Sequence, residues 1–158
     1  MTAIAYMQTP DCTDLLIVAA STTLENKIAK AGGLMVYKLD AAANPPTLTK
    51  MWQSPAPELR FNFGSPTVIA NPVADPANPP NPVALIWLVD GDDPGRSRYQ
   101  VNVVVRAFDV LSGEAVYDST VHGEVTERTP HFAPITAGAN SVFIPTSVGF
   151  MGFTQSSA

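Results

Sequence analysis

One series of short apolar runs occurs twice along this chain and starts a third time. Phe63-Gly-Ser-Pro-Thr-Val-Ile-Ala70 is echoed by Phe132-Ala-Pro-Ile-Thr-Ala137, with Pro66 and Pro134 in matching places. Leu15-Leu-Ile-Val-Ala-Ala20 is echoed by Leu85-Ile-Trp-Leu-Val-Asp90 and by Ser141-Val-Phe-Ile-Pro-Thr146. Val36-Tyr-Lys-Leu-Asp40, Val105-Arg-Ala-Phe-Asp109 and Phe150-Met-Gly-Phe153 complete the set. A recurring order of short strands means one supersecondary unit used repeatedly, each copy leaning on its neighbour for a core. This limits the fold far more tightly than composition does.

The runs are rich in Val, Ile, Phe, Tyr, Trp and Thr and are broken by Gly, Pro, Asn and Asp, which is strand-and-turn chemistry. The expected strands are Thr2–Met7, Leu15–Ala20, Leu34–Leu39 and Leu48–Gln53 in the first unit. The second holds Phe63–Ala70, Ala84–Val89, Val101–Val110 and Glu114–Ser119, and the third Phe132–Ala137, Ser141–Thr146 and Val148–Thr154. Leu111-Ser-Gly-Glu114 places a glycine where a hairpin needs positive φ. Asn44-Pro-Pro46 makes the matching join in the first unit. Asn71 to Asn81, with four prolines, is expected to be a stiff surface insertion. Glu25-Asn-Lys-Ile-Ala-Lys30 is a candidate helical turn within a strand connection.

Composition removes several classes. With 46% hydrophobic and 15% charged residues the chain is a packed globular one, not a disordered one. A net charge of −5 and no Lys/Arg cluster oppose nucleic-acid binding. Apolar runs such as Leu15 to Ala20 are far below the roughly 20 residues of a spanning helix. Cys12 is the only cysteine, so no internal disulfide forms; a quiet loop or core thiol is the simpler reading. Met1 to Tyr6 has neither the basic start nor the apolar core of a signal peptide.

Arg106-Ala-Phe-Asp-Val-Leu-Ser-Gly-Glu-Ala-Val-Tyr117 resembles the A-F-D-x-x-T-G-x-x-x-W signature of the pyrroloquinoline-quinone-like (PQQ-like) β-propeller repeat. Val36 to Asp40 with Met51-Trp52 is a looser copy. Pro66-Thr-Val68 and Ala133-Pro-Ile135 resemble the opening strand of such blades, and Ser147-Val-Gly-Phe-Met-Gly-Phe153 a third strand. Tyr117 stands where the repeat usually has Trp. The units recur at about 68–70 residues, above the ~40–50 of common propeller repeats, because of inserts at 71–83 and 91–100. The resemblance implies an all-β fold of antiparallel four-stranded blades, about two and three-quarter of them, in an open or incomplete propeller. The units are expected at 1–54, 62–120 and 130–158. Such an arc exposes edges and apolar end faces. It is therefore expected to be part of a longer propeller, or to be completed by a partner or by self-association. A β-sandwich is the alternative, though sandwiches need no internal self-similarity. Members of the resembling family are often extracytoplasmic.

Blade topology separates two sets of loops. Those joining second to third strands, and fourth strands to the next unit, share one end of the sheets. That end collects Glu25, Lys27, Lys30, Glu58, Arg60, Asp92, Asp93, Arg96, Arg98, Glu124, Glu127 and Arg128. The opposite loops hold only Asp11, Asp75 and Glu114. Loops on a rigid scaffold are where binding groups concentrate. Candidate binding residues are thus Arg60, Asp92, Asp93, Arg96, Arg98, His122, Glu124, Glu127, Arg128 and His131, against the plain reading that long loops simply carry more charge.

Local chemistry is sparse. Asp90-Gly-Asp-Asp-Pro-Gly95 gathers carboxylates in a glycine turn, but Pro94 at the fifth position and Val101 at the twelfth break the calcium-loop pattern, leaving a solvated turn. His122-Gly-Glu-Val-Thr-Glu-Arg-Thr-Pro-His131 unites both histidines with two glutamates, yet the spacing matches no helix-borne zinc motif. His131 acting with Glu124 or Glu127 in acid–base chemistry is the functional alternative there. Trp52 and Trp87 fall in strand patterns and are expected in the core. No catalytic or metal-ligating residues are assigned. PQQ-dependent dehydrogenases carry adjacent cysteines, which a chain with one cysteine lacks, so the cofactor is not carried over. The expected function is a non-catalytic scaffold presenting its loop face to a protein or glycan. The alternative is part of a PQQ-dependent or quinoprotein-like oxidoreductase whose site, with PQQ and calcium, lies in other blades.

Overall fold

The computed structural model describes residues 2–20, 23–25, 28–30, 33–54, 65–70, 82–91, 103–121, 135–138, 141–146 and 149–154. All elements among these residues are strands: β1 (Thr2–Gln8), β2 (Asp14–Ala20), β3 (Thr23–Glu25), β4 (Ile28–Lys30), β5 (Gly33–Asp40), β6 (Thr47–Gln53), β7 (Thr67–Ala70), β8 (Ala84–Gly91), β9 (Val103–Asp109), β10 (Ala115–Asp118), β11 (Thr136–Gly138), β12 (Ser141–Pro145) and β13 (Phe150–Thr154). They form antiparallel sheets in the orders β1-β2-β5-β6, β7-β8-β9-β10 and β11-β12-β13, here called sheets 1, 2 and 3. No sheet closes into a barrel. The chain is all-β, consistent with an incomplete propeller-like arrangement. The helical turn expected at Glu25 to Lys30 is replaced by strands at Thr23–Glu25 and Ile28–Lys30. They pair as a small β3–β4 hairpin, Thr23 opposite Lys30 and Glu25 opposite Ile28. β7 begins directly after Pro66, which has no N–H to give a ladder. The insertion at 71–81 lies outside the described residues.

The sheets stack face to face, and period two decides what each face touches. On β2, Leu15, Ile17 and Ala19 point one way; with Leu34 and Val36 of β5 they pack against Ala84, Ile86, Leu88, Phe108 and Val110 of sheet 2 and the turn after it. The intervening residues of β8 point the other way. Val89 and Val105, with Trp87 alongside, pack against Ile135, Val142 and Ile144, joined by Phe153. Sheet 2 is therefore apolar on both faces, which is why Leu85-Ile-Trp-Leu-Val89 is an unbroken apolar run and not an alternation. Three layers and two cores rule out the two-layer sandwich.

Specific contacts fix how the layers meet. The Trp52 indole N–H donates to the Val110 carbonyl at 2.9 Å, and its ring lies over Gly113. That glycine has φ +76°, and a Cβ on it would fall 2.6 Å from the indole. On the other side of sheet 2 the Thr67 hydroxyl donates to the Ile135 carbonyl at 3.0 Å. Tyr117 takes the place of Trp52 one unit on: its ring sits 5.4 Å from Trp87 and 5.9 Å from Phe153, the latter edge-on. Trp52 and Trp87 are thus both packing residues, as their strand positions implied.

Two features recur between units. Asp40 Oδ1 accepts from the Ala42 and Ala43 N–H groups, both at 3.1 Å. Asp109 Oδ1 accepts in the same way from Leu111 at 2.8 Å and Ser112 at 2.6 Å. The aspartate shared by the third strands is a turn-builder. At the far end of each fourth strand a buried serine grips the neighbouring strand twice. Ser54 N–H donates to the Leu34 carbonyl at 2.8 Å while its Oγ accepts from Leu34 N–H at 3.0 Å. Ser119 and Val105 repeat this at 3.0 and 3.1 Å. Trp52-Gln-Ser54 and Tyr117-Asp-Ser119 thus form a second signature, an aromatic two residues before a clamp.

Gly113→Ala is expected to cost about 1–3 kcal/mol, from a left-handed backbone and displacement of the indole. Urea melts with a shift in Trp emission check it. Ser119→Ala orphans the buried Val105 N–H and is expected to cost about 1–3 kcal/mol, whereas Ser112→Ala, on an exposed turn, should change stability by less than about 0.5 kcal/mol.

Candidate functional site at the loop end of the middle sheet

On the face of sheet 2 that meets sheet 1, side chains run Ala84, Ile86, Leu88, Asp90 along β8 and Val104, Arg106, Phe108 along β9. The apolar series is interrupted by opposite charges near one end. Arg106 reaches both ways from the centre. One guanidinium nitrogen lies 2.7 Å from Asp90 Oδ2 and Nε lies 2.8 Å from Asp118 Oδ2. Asp90 is only 1% exposed, so its charge is held out of water and depends on such pairing. Asp118 Oδ1 also accepts from the Thr120 N–H at 2.8 Å and its hydroxyl at 2.5 Å, tying the network to the turn that leaves β10. Partial burial alone pushes the Asp118 carboxyl up. The hydrogen bonds from Arg106 and Thr120, with the positive charge of Arg106, outweigh it and hold the pKa below the usual aspartate value.

The place of this cluster matters. Asp90 stands where β8 departs toward residues 92–102, and Asp118 where β10 departs toward 122–134. A partly buried two-to-one arrangement of carboxylates and guanidinium, with Asp90 at its buried end, therefore roots the two connections that carry most of the expected binding residues. Beside it, along β10, a cavity of about 310 Å³ is lined by Arg106, Phe108, Ala115, Val116, Tyr117, Asp118 and Val121. Val121 at its rim is 80% exposed.

The side chains expected on this loop face (Arg60, Asp92, Asp93, Arg96, Arg98, His122, Glu124, Glu127, Arg128 and His131) lie outside the described residues, as does the proposed pairing of His131 with Glu124 or Glu127. Of the Asp90-to-Gly95 cluster, Asp90 is engaged by Arg106 within the sheet. Cys12 is exposed in the β1–β2 turn, at φ +61°. That turn is closed by Thr9, whose hydroxyl donates to Asp11. Among the described residues, no group of three His, Cys, Asp or Glu side chains is placed to hold a metal ion. Nor is any helix there long and apolar enough to cross a membrane.

Sequence reasoning passed over Arg106 and Asp118. The available signal was a cation in an otherwise apolar alternation, Val104-x-Arg106-x-Phe108, facing a similar alternation that ends in Asp90. No family model matches the chain, and no curated protein or solved structure matches it either.

Arg106→Met leaves Asp90 without the guanidinium and is expected to cost about 3 kcal/mol or more; adding Asp90→Asn should recover part of the loss. For Asp118 the lowered folded-state pKa means that the native state binds fewer protons than the unfolded one. Its stabilising effect is full above the ordinary aspartate pKa of ~4 and is lost as pH falls through the folded value. Melting temperatures from pH 6 to 2 should therefore fall less steeply in Asp118→Asn than in the wild type.

Proposed function

We propose that this chain is a non-catalytic, PQQ-like propeller segment that works as an interaction scaffold. Its working face is the end bearing the connections between second and third strands and the crossovers to the next unit. The partner is a polar macromolecule, protein or glycan, met by mixed charge from residues such as Arg96, Arg98, Glu127 and Arg128.

The observation that carries this reading is the Asp90–Arg106–Asp118 network at the root of both connections. A recognition loop gains affinity when its ends are held rigidly, since less freedom is lost on binding. Burying the Asp90 carboxylate there is costly unless it is paired, and fixing loop geometry is one use for such a pair. The turn-building role of Asp40 and Asp109 adds support, because the most recognisable acidic residues of the repeat are consumed by architecture. The repeat's likeness to PQQ-type blades supplies the scaffold half of the proposal.

The paired substitution Arg96→Ala, Arg98→Ala is expected to leave the melting temperature within about 1–2 °C of wild type, as surface changes do. It should weaken binding to the ligand found in a glycan panel or a charged-peptide panel by at least about tenfold, roughly 1.4 kcal/mol. Failure of the variant to alter any such binding would count against the loop face. Oxidation of primary alcohols or aldoses with added PQQ and calcium, followed with an electron-acceptor dye, would overturn the non-catalytic reading.

A further inference from the structure

Each sheet in this stack has two unlike faces, and the repeat makes them comparable position by position. Leu15, Leu85 and Ser141 are equivalent, so Leu16 and Val18 of sheet 1 match Ile86 and Leu88 of sheet 2 and Val142 and Ile144 of sheet 3. In sheets 2 and 3 these positions are buried against the preceding sheet. By the same alignment Phe143 and Pro145 of sheet 3 match Trp87 and Val89 of sheet 2, which pack against the following sheet. Call these the leading and trailing faces. Among the described residues, no sheet packs on the leading face of sheet 1 or on the trailing face of sheet 3.

Both open faces carry large apolar side chains. Leu16 and Val18 lie on the leading face of sheet 1 beside Ile4 and Tyr6, which are 65% and 58% exposed. On the trailing face of sheet 3, Phe143 is 41% exposed and Phe150, opposite Pro145, is 79% exposed. The chain thus owns both halves of a contact that it already makes twice internally. Among the described residues neither half meets the other. A leading face meeting a trailing face is head-to-tail by nature, and such contacts close into rings when the rotation permits.

We infer that two copies of this chain associate head-to-tail, the trailing face of sheet 3 in each stacking on the leading face of sheet 1 in the other. The pair closes a ring of six sheets, within the four to eight that propeller rings hold. The new contacts continue the internal ones, with Phe143 filling the role of Trp87 and Leu16 and Val18 those of Ile86 and Leu88. The inference stands on sheet faces and is independent of what the loops bind.

Ile4→Glu and Phe150→Glu each place a charge on one open face at a well-exposed position, so both variants should fold, as circular dichroism will check. Light scattering after gel filtration is expected to give twice the 16.8 kDa chain mass for the wild type and the single-chain mass for each variant alone. An equimolar mixture of the two variants keeps one intact leading face and one intact trailing face, and should return to the two-chain mass. A wild type that stays at the single-chain mass would overturn the inference, as would assemblies larger than two chains. Loss of association in only one variant, which marks like face meeting like face, would overturn it as well.

Discussion

Sheet 2 has no side turned to water, and the other layers are arranged around that requirement. Ile86, Leu88 and Phe108 need cover on one face, and Trp87, Val89 and Val105 need it on the other. At roughly 1.5–3 kcal/mol for each large side chain taken fully out of water, leaving either face open would forfeit an amount comparable to the net stability of a typical domain. Sheets 1 and 3 meet that need. Each thereby buries one of its own faces and keeps the other, so the asymmetry of the ends is a direct consequence of the doubly buried centre.

Hydrophobic stacking by itself is indifferent to small slides of one sheet over another. Polar and shape-specific contacts remove that freedom. The Trp52 indole is held between a carbonyl acceptor at Val110 and the bare backbone of Gly113, which allows one position of sheet 1 against the outer turn of sheet 2. Thr67 and Ile135 make the corresponding tie to sheet 3. The serine clamps at Ser54 and Ser119 then hold each fourth strand to its third. At the loop end, Arg106 joins three strands through two carboxylates, and the connections that leave there start from fixed points.

Much of this was legible in the residues. Eleven strands of the repeat follow in the expected order, because period-two patterning and the Gly/Pro breaks act locally, though β7 starts only at Thr67 and β11 only at Thr136. Gly113 announced its turn by its setting between Ser112 and Glu114. Legibility failed in two places. Glu25 to Lys30 have a composition that suits a helix, but six residues cannot sustain one alone, and a short hairpin between β2 and β5 satisfies the backbone instead. The bond from Arg106 to Asp90 and Asp118 was invisible because its partners are 16 and 12 residues away along the chain and lie on three strands. Only the register places them together.

The amino-acid order alone determined that the chain is all-β, that its unit repeats, and which side chains alternate across each strand, since these follow from backbone sterics and spacing along a single run. Which face of each sheet is covered, that the shared aspartates cap turns, and that a partly buried charge network roots the loop end were decided by tertiary structure. Those depend on registers and stacking between segments far apart in the chain, where contact is set by packing in space and not by separation in sequence.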